Sequence, residues 1–249
     1  MPANLQMFSK DEKEILEQLS LQIGNDVASY PKIEQILDEE KITEILQDLV
    51  DEGHFPNLFV AGSQFMKRYG IMTIAPILFA FTMWNKRIEA GPDQLGYRIG
   101  FEQDSWTMKL AVRDEWIGPE NRTNARAKLA NELINQNLAP FVETMVKATK
   151  LSATILWENA AIYLFWIYET LIPSKANEEQ KQRAKEDFHY IVHQFQCTSF
   201  TCGTNPFLPY YTEKKERAEG TMRTRKTCCL RDQISPDTMC CKTCPKLRG

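Results

Sequence analysis

The last twenty-two residues of this 249-residue chain contain a dense group of cysteines, a residue type suited to binding soft metals. Five of the seven cysteines fall between positions 228 and 244. They are arranged as Cys228-Cys229, eleven further residues, and then Cys241-Lys-Thr-Cys244, with Cys240 directly before Cys241. Because a Cys-x2-Cys turn presents two thiolates to one metal, this spacing predicts a metal centre.

Two kinds of centre suit these thiolates, a 2Fe-2S cluster and a structural zinc site. Zinc ribbons use two separated Cys-x2-Cys knuckles, whereas Cys228 and Cys229 are adjacent, and adjacent side chains converge only if the backbone leaves strand geometry. The spacing therefore favours iron–sulfur, with zinc as the alternative. Cys197 and Cys202 lie outside the group, and we expect them to pack as free thiols rather than to act as a redox pair or accessory ligands.

The bulk composition is that of a globular protein, with 43% apolar and 25% charged residues. The formal net charge of -3 gives no bias toward nucleic acid, although residues 213–249 carry ten Lys or Arg against five Asp or Glu. Residues 1–25 lack the apolar core of a signal peptide. The apolar stretches 71–84 and 151–172 are respectively too short and too interrupted by acidic side chains to span a bilayer. We therefore expect a cytoplasmic protein without a transmembrane segment, and peripheral contact with a membrane stays open.

Hydrophobic periodicity predicts an α+β fold that is mostly helical with a small antiparallel sheet. Ser9 and Glu12 form a capping box ahead of the first helix, which we expect to extend toward Gly24. Apolar residues alternate in 96–101 and 106–112, which predicts a β-hairpin. Further helices are predicted over residues 31–53, 63–87, 124–150, 152–171 and 177–195. We expect a break near Asp38 in the first of these, a division at Pro140 in the third, and an end before Pro173 in the fourth.

The helical periodicity stops after Gln196. The remaining residues are rich in Pro, Gly, Cys and basic side chains, a composition that buries little surface by itself. Such a segment needs a cross-link to stabilise it, and a metal centre is one. We therefore expect a helical-rich α+β body over residues 1–196 and an irregular C-terminal iron–sulfur module over 197–249, packed on that body.

The C-terminal cysteines resemble the signature of the FhuF-like ferric-siderophore reductases, in which Cys-Cys, about ten residues and Cys-x2-Cys bind a 2Fe-2S cluster. The resemblance reaches into most of the chain, although the cysteine motif is its most specific part. The upstream matches are Arg223-Thr-Arg225-Lys226, Asn205-Pro206-Phe207, Trp157-Glu-Asn159, and residues 63–69 leading into 71–80.

The resemblance also assigns the ligands. The family commonly has a proline five residues before its third ligand, and Pro236 stands five residues before Cys241. It therefore implies four cluster ligands, with Cys240 as the alternative third ligand: Cys228, Cys229, Cys241 and Cys244.

For function, the resemblance implies one-electron reduction of siderophore-bound Fe(III) to Fe(II) in the cytoplasm. Reduction releases iron because attraction to anionic oxygen donors falls with the charge of the cation. The expected partners are a ferric siderophore of the hydroxamate or citrate type and an electron donor such as a ferredoxin, with no nucleic acid. Five basic residues are candidates for contacting the chelate: Lys67, Arg68, Arg223, Arg225 and Lys226. Arg231 also flanks the first cysteine pair, and together with Arg223, Arg225 and Lys226 it could attract an anionic chelate or dock an acidic electron donor. The body over residues 1–196 is then the expected siderophore-binding part.

Two other functions fit the same residues. A zinc-stabilised binding module would use the cysteines structurally, and an iron–sulfur electron carrier or sensor would have no siderophore pocket. The fold implied by the resemblance is related to part of the siderophore synthetases of the IucA/IucC type, but synthetase activity does not follow from a shared fold.

Overall fold

A computed structural model of the protein describes residues 5–24, 26–102, 105–118, 121–216 and 220–247. About 57% of it is helical, and the strands form small sheets, so the predicted mostly helical α+β class is confirmed. Within these residues, no helix combines the length and the apolar character that crossing a bilayer requires.

The N-terminal elements are short and capped by polar side chains. Strand β1 (Leu5–Gln6) precedes helix α1 (Lys10–Gln18), and the predicted capping box is present, since Ser9 and Glu12 each accept the other's backbone N–H. Helix α1 ends before Gly24 because Ser20 adopts a φ of 69°, which turns the chain into strand β2 (Leu21–Ile23). The expected extension toward Gly24 is therefore wrong.

Two helices of the body follow. Residues 33–37 form a 3₁₀ turn, and helix α2 (Glu39–Asp51) begins after Asp38, whose carboxylate accepts the N–H of Lys41, so the predicted break at this point is confirmed. Helix α3 (Leu58–Trp84) starts five residues earlier than predicted because Asn57 caps it, accepting the N–H of Val60. Its second half is buried on all sides, as its apolar sequence predicts.

The main sheet has three strands. Strands β3 (Gly96–Glu102) and β4 (Ser105–Val112) pair antiparallel, with Tyr97 opposite Leu110, which confirms the predicted hairpin. Its turn at Gln103 and Asp104 lies outside the described residues. Strand β2 pairs with β4 in parallel, so the sheet is mixed rather than purely antiparallel. Strand β5 (Trp116–Ile117) pairs with β1 in a separate two-stranded sheet.

Helices of the second half continue through prolines that we expected to interrupt them. They are α4 (Arg122–Ala130), α5 (Ala139–Thr149), α6 (Ala153–Trp166), α7 (Ile172–Lys175) and α8 (Glu178–His189). Segments of π-helix, Asn131–Leu138 and Ile167–Leu171, directly precede α5 and α7. The first N–H after each segment bonds five residues back, which widens the turn and lets the helix pass the proline. The predicted break at Pro140 and end before Pro173 are therefore wrong.

Helices α3 and α6 pack closely and provide the surface on which the C-terminal residues rest. A side chain added at Gly70 would come within 3.1 Å of the Ala160 backbone. Asn159 donates to both the carbonyl and the hydroxyl of Ser63 at 2.9 Å. A third π segment (Tyr190–Gln194) ends the last long helix. Beyond it, strands β6 (Lys214–Lys215) and β7 (Met222–Arg223) pair antiparallel, and 3₁₀ turns form at Leu208–Tyr210 and Arg231–Gln233.

Candidate metal centre and its two cavities

Glu158 of α6 fixes the backbone just before the first cysteine pair. Its side chain is only 3% exposed. The carboxylate accepts the N–H groups of Lys226 and Thr227, both at 2.7 Å, and the hydroxyl of Thr227. A buried carboxylate satisfied by backbone donors holds a chain segment firmly. Cys228 therefore begins from a fixed position on α6.

Arg225 connects the two segments that carry the cysteines. Its backbone N–H donates to the carbonyl of Thr243, inside the Cys-x2-Cys turn, at 3.0 Å. Its guanidinium donates to Asn159 at 2.6 Å and to the carbonyl of Thr227 at 3.2 Å, while Nη1 is buried without a hydrogen-bond partner among the described residues. One residue thus links the first cysteine segment, the second cysteine segment and α6.

Helix α3 holds Cys229 through three side chains. Ser63 and Gln64 donate to the Cys229 carbonyl at 2.8 and 2.6 Å. One helical turn from Ser63, the Lys67 ammonium lies 3.7 Å from the Cys229 sulfur. A cation beside a buried thiol favours its thiolate form, the form that binds a metal.

The sulfurs approach one another across the two segments. Cys229 Sγ and Cys241 Sγ are 3.6 Å apart, and the N–H of Cys244 donates to the Cys241 carbonyl at 2.9 Å, which closes the Cys-x2-Cys turn. Within the described part of the chain, no three metal-binding side chains converge on one point.

Neighbouring groups change the acidity of these thiols. The hydrogen bond with Cys241, together with Lys67 and Arg225, lowers the pKa of Cys229 to about 5 in spite of its burial. The same hydrogen bond raises the pKa of Cys241, because it stabilises the protonated form of that partner.

The donor set fits a sulfur-ligated metal. Two thiolates on one tetrahedral metal, with metal–sulfur bonds of about 2.3 Å, are separated by roughly 3.8 Å, close to the 3.6 Å between Cys229 and Cys241. The backbone N–H of Leu230 donates to Cys228 Sγ at 3.4 Å, the kind of bond that tunes iron–sulfur centres. The unpartnered Nη1 of Arg225 is a further donor beside the cysteine segments. Both iron–sulfur and zinc remain compatible with this set.

Cys197 and Cys202 are joined by a disulfide, with Cα atoms 6.2 Å apart. The expectation that they pack as free thiols is therefore wrong. Their sulfurs bond to each other, while the cysteines from Cys228 onward remain free thiols.

A cavity that we call the basic cavity opens beside Cys229 between α3, α6 and the C-terminal residues, with a volume of about 430 Å³. Three cations line it, and none of them has a carboxylate partner among the described residues. The Arg68 guanidinium packs over the Trp106 ring, with its central carbon 4.7 Å from the ring centroid. The lining residues are Ser20, Phe55, Gln64, Lys67, Arg68, Ile71, Met72, Trp106, Tyr163, Arg231 and Ile234.

The five predicted substrate-contacting residues occupy different surroundings. Lys67 and Arg68 come together in the basic cavity. Arg223 and Arg225 line a second cavity beside α6, where Arg223 pairs with Glu169 and Arg225 bonds Asn159. Lys226 has an exposed side chain and is not among the described residues that line either cavity.

Sequence reasoning missed the roles of three residues of this region, Glu158, Gln64 and Tyr163. Glu158 is an acid within an apolar helix, and an acid in that position signals a buried partner. Arg231, two residues after the first cysteine pair, was among the predicted candidates for attracting the chelate, and it lines the basic cavity. Gln64 and Tyr163 gave no signal of their own, because polar residues on helices are common.

A family model described as ferric iron reductase FhuF-like transporter matches residues 63–219. The match covers more than half of the chain, so the protein belongs to this family. It begins within α3, includes α6 and ends before Cys228, so it identifies the family without testing the cysteine ligands. No curated protein sequence matches the chain significantly.

Proposed function

We propose that this member of the FhuF-like family is a cytoplasmic ferric-siderophore reductase that carries a 2Fe-2S cluster on Cys228, Cys229, Cys241 and Cys244. When bound, such a cluster supplies one electron at a time, the number needed to convert Fe(III) to Fe(II). In this proposal residues 1–196 form the body that binds the chelate, and residues 197–249 form the segment that carries the cluster. The family assignment supports the ferric iron reductase role.

The ligand choice is supported by the contacts of the sulfurs. Cys241, not Cys240, lies 3.6 Å from Cys229, and it closes the turn with Cys244. We therefore retain Cys241 as the third ligand and Cys240 as its alternative. Within the protein, Glu158 and Ser63 hold the backbone on either side of the first pair.

The observation that carries the proposal is the position of Lys67. Its ammonium contacts the Cys229 sulfur and also lines the basic cavity, so that a molecule held there lies directly beside a proposed cluster ligand. The three cations of this cavity, Lys67, Arg68 and Arg231, attract an anionic chelate, and the short path favours electron transfer. The paired Arg223 is less available for this role.

The double variant Lys67→Met/Arg231→Met tests the basic cavity as the chelate site. Dithionite-reduced protein is mixed with ferric citrate, which is anionic, and with ferrioxamine, which is cationic, and Fe(II) formation is followed. We expect the ferric citrate rate at low salt to fall at least about tenfold, since two charges are removed, while ferrioxamine reduction is not slowed. The exposed Lys226→Met variant is the matched control. An equal loss for both chelates contradicts electrostatic recognition in this cavity.

The same cysteines would hold zinc in the competing binding-module function. Protein purified without oxygen is analysed for iron, acid-labile sulfide and zinc. We expect about two irons and two sulfides per chain and a red-brown colour. A colourless protein with one zinc would exclude the reductase.

A further inference from the structure

Tyr163 of α6 places a hydrogen-bond donor at the wall of the basic cavity. Its ring packs against α3, where a Cβ added at Gly70 would lie 3.6 Å from the ring atom Cδ2. The hydroxyl bonds no other group among the described residues. The fully buried polar atoms without a partner in this part of the chain are all arginine nitrogens, so the phenol oxygen keeps accessible surface. It is therefore open to a molecule in the cavity.

Most of the charged groups around this hydroxyl are hydrogen-bond donors. Four residues lie close enough to act on the phenol electrostatically: Arg225, Cys229, Arg68 and Arg231. Two of these arginines, Arg68 and Arg231, line the same cavity as the phenol. A guanidinium donates hydrogen bonds and accepts none. The phenol therefore finds its acceptor in a molecule that enters the cavity, either water or a ligand that displaces the water.

The lining of the cavity indicates the chemical class of that ligand. It combines three cations, Lys67, Arg68 and Arg231, with the neutral phenol donor. A carboxylate oxygen satisfies both kinds of group, because it carries negative charge and accepts hydrogen bonds. Ferric chelates of polycarboxylates such as citrate present carboxylate oxygens beyond those that bind the iron. Ferrioxamine offers none, since its hydroxamate oxygens are all bound to the metal and its overall charge is positive.

We infer that the Tyr163 hydroxyl donates a hydrogen bond to a carboxylate oxygen of the bound chelate, and that this contact makes the basic cavity selective for polycarboxylate chelates over hydroxamates. The inference rests on the proposed reductase function for its substrate. The cations attract the chelate by charge, and salt screens that attraction. A hydrogen bond from a neutral donor in direct contact is directional and is much less sensitive to salt. The two contributions can therefore be measured separately.

Binding of gallium(III) citrate to the full chain tests the inference without turnover, because Ga(III) has the charge and nearly the size of Fe(III) but is not reduced in water. Bound gallium is measured by elemental analysis after equilibrium dialysis. We expect saturable binding to the wild-type protein and a Kd about 10–100-fold higher for Tyr163→Phe, the effect of one hydrogen bond to a charged acceptor. Gallium(III) ferrioxamine should not distinguish the two proteins.

Salt separates the hydrogen bond from the cations. Raising the ionic strength from about 10 mM to about 150 mM shortens the Debye length from about 30 Å to about 8 Å, so the loss of affinity caused by Lys67→Met should shrink. The ratio of the Kd values of Tyr163→Phe and wild type should stay constant within about twofold, because no charge is removed. Tyr211→Phe removes a hydroxyl from an exposed tyrosine outside the described lining of the basic cavity, and this control should bind as wild type.

Reduction kinetics with ferric citrate supply a second readout. For Tyr163→Phe we expect KM to rise by about the same factor as the Kd, and kcat to stay within about twofold, because the ring remains in place. An equal Kd in the two proteins, a loss that shrinks with salt as it does for Lys67→Met, or an equal loss in Tyr211→Phe would overturn the inference. No saturable binding of gallium citrate to wild type up to about 1 mM would also overturn it, whereas the proposed function fails only if no ferric chelate is reduced.

Discussion

Replacing Glu158 with Gln should loosen the C-terminal segment and release the metal, although the side chains have the same shape. The carboxylate accepts two backbone N–H groups at 2.7 Å and one hydroxyl, all from the residues directly before Cys228. An amide offers a single oxygen and turns an NH2 group toward the remaining donors. The variant therefore leaves at least one buried donor without an acceptor and places two donors against each other.

The size of the effect follows from these contacts. Each hydrogen bond to a charged group contributes about 1.5–3 kcal/mol, and breaking a buried charged contact by removing one partner typically costs about 3–5 kcal/mol. Glu158 also lies 3.7 Å from the Arg225 guanidinium, which loses its counter-charge. We expect the free energy of unfolding to fall by about 3 kcal/mol, less where water enters to satisfy the freed N–H groups.

Urea unfolding and the iron content after gel filtration measure the two consequences. The matched control is Glu169→Gln, because Glu169 follows α6 in the same continuous helix and pairs with Arg223 and Lys214 at 2.5 and 3.0 Å, but is 20% exposed. Partly exposed ion pairs contribute about 1 kcal/mol or less, so the control should keep its iron. If Glu158→Gln unfolds at the same urea concentration as Glu169→Gln and retains its iron, Glu158 does not anchor the segment.

Four further predictions follow from the same contacts. Lys67→Met should lower the reduction potential of the bound centre by roughly 30–60 mV, since a cation 3.7 Å from a ligand sulfur stabilises the reduced state. An unchanged potential in a redox titration would show that this lysine does not interact with the centre. Cys241→Ser should lose the visible spectrum while Cys240→Ser keeps it, and the reverse pattern would exchange the third ligand. Gly70→Ala should destabilise the fold by about 1–3 kcal/mol in thermal unfolding, because its methyl group meets the α6 backbone at 3.1 Å. Burial raises the pKa of Tyr163 to about 12, so its stabilising contribution is complete below about pH 10 and is lost as the pH rises to about 12. Over that interval the free energy of unfolding of wild type should fall by up to about 2–3 kcal/mol more than that of Tyr163→Phe. If the unfolding free energies of the two proteins fall in parallel, the prediction is wrong.

Much of the local structure could be predicted because it depends on neighbouring residues. The capping box at Ser9, the break near Asp38 and the hairpin with Tyr97 opposite Leu110 follow from side chains a few positions apart. The predictions at Pro140 and Pro173 failed for a physical reason. A π segment before each proline shifts the hydrogen bonds by one residue, and packing rather than local propensity selects such a segment.

The sequence by itself determined the mostly helical fold class, the family resemblance and the cysteine group, because metal-binding chemistry depends on thiol type and close spacing. Only the tertiary structure decided which cations remain available to bind an anionic chelate. Arg223 is paired with Glu169, 54 residues away, whereas Lys67 reaches Cys229, 162 residues away, at the wall of a cavity. Such pairings depend on how α3, α6 and the C-terminal segment pack together, and no spacing along the chain contains that information.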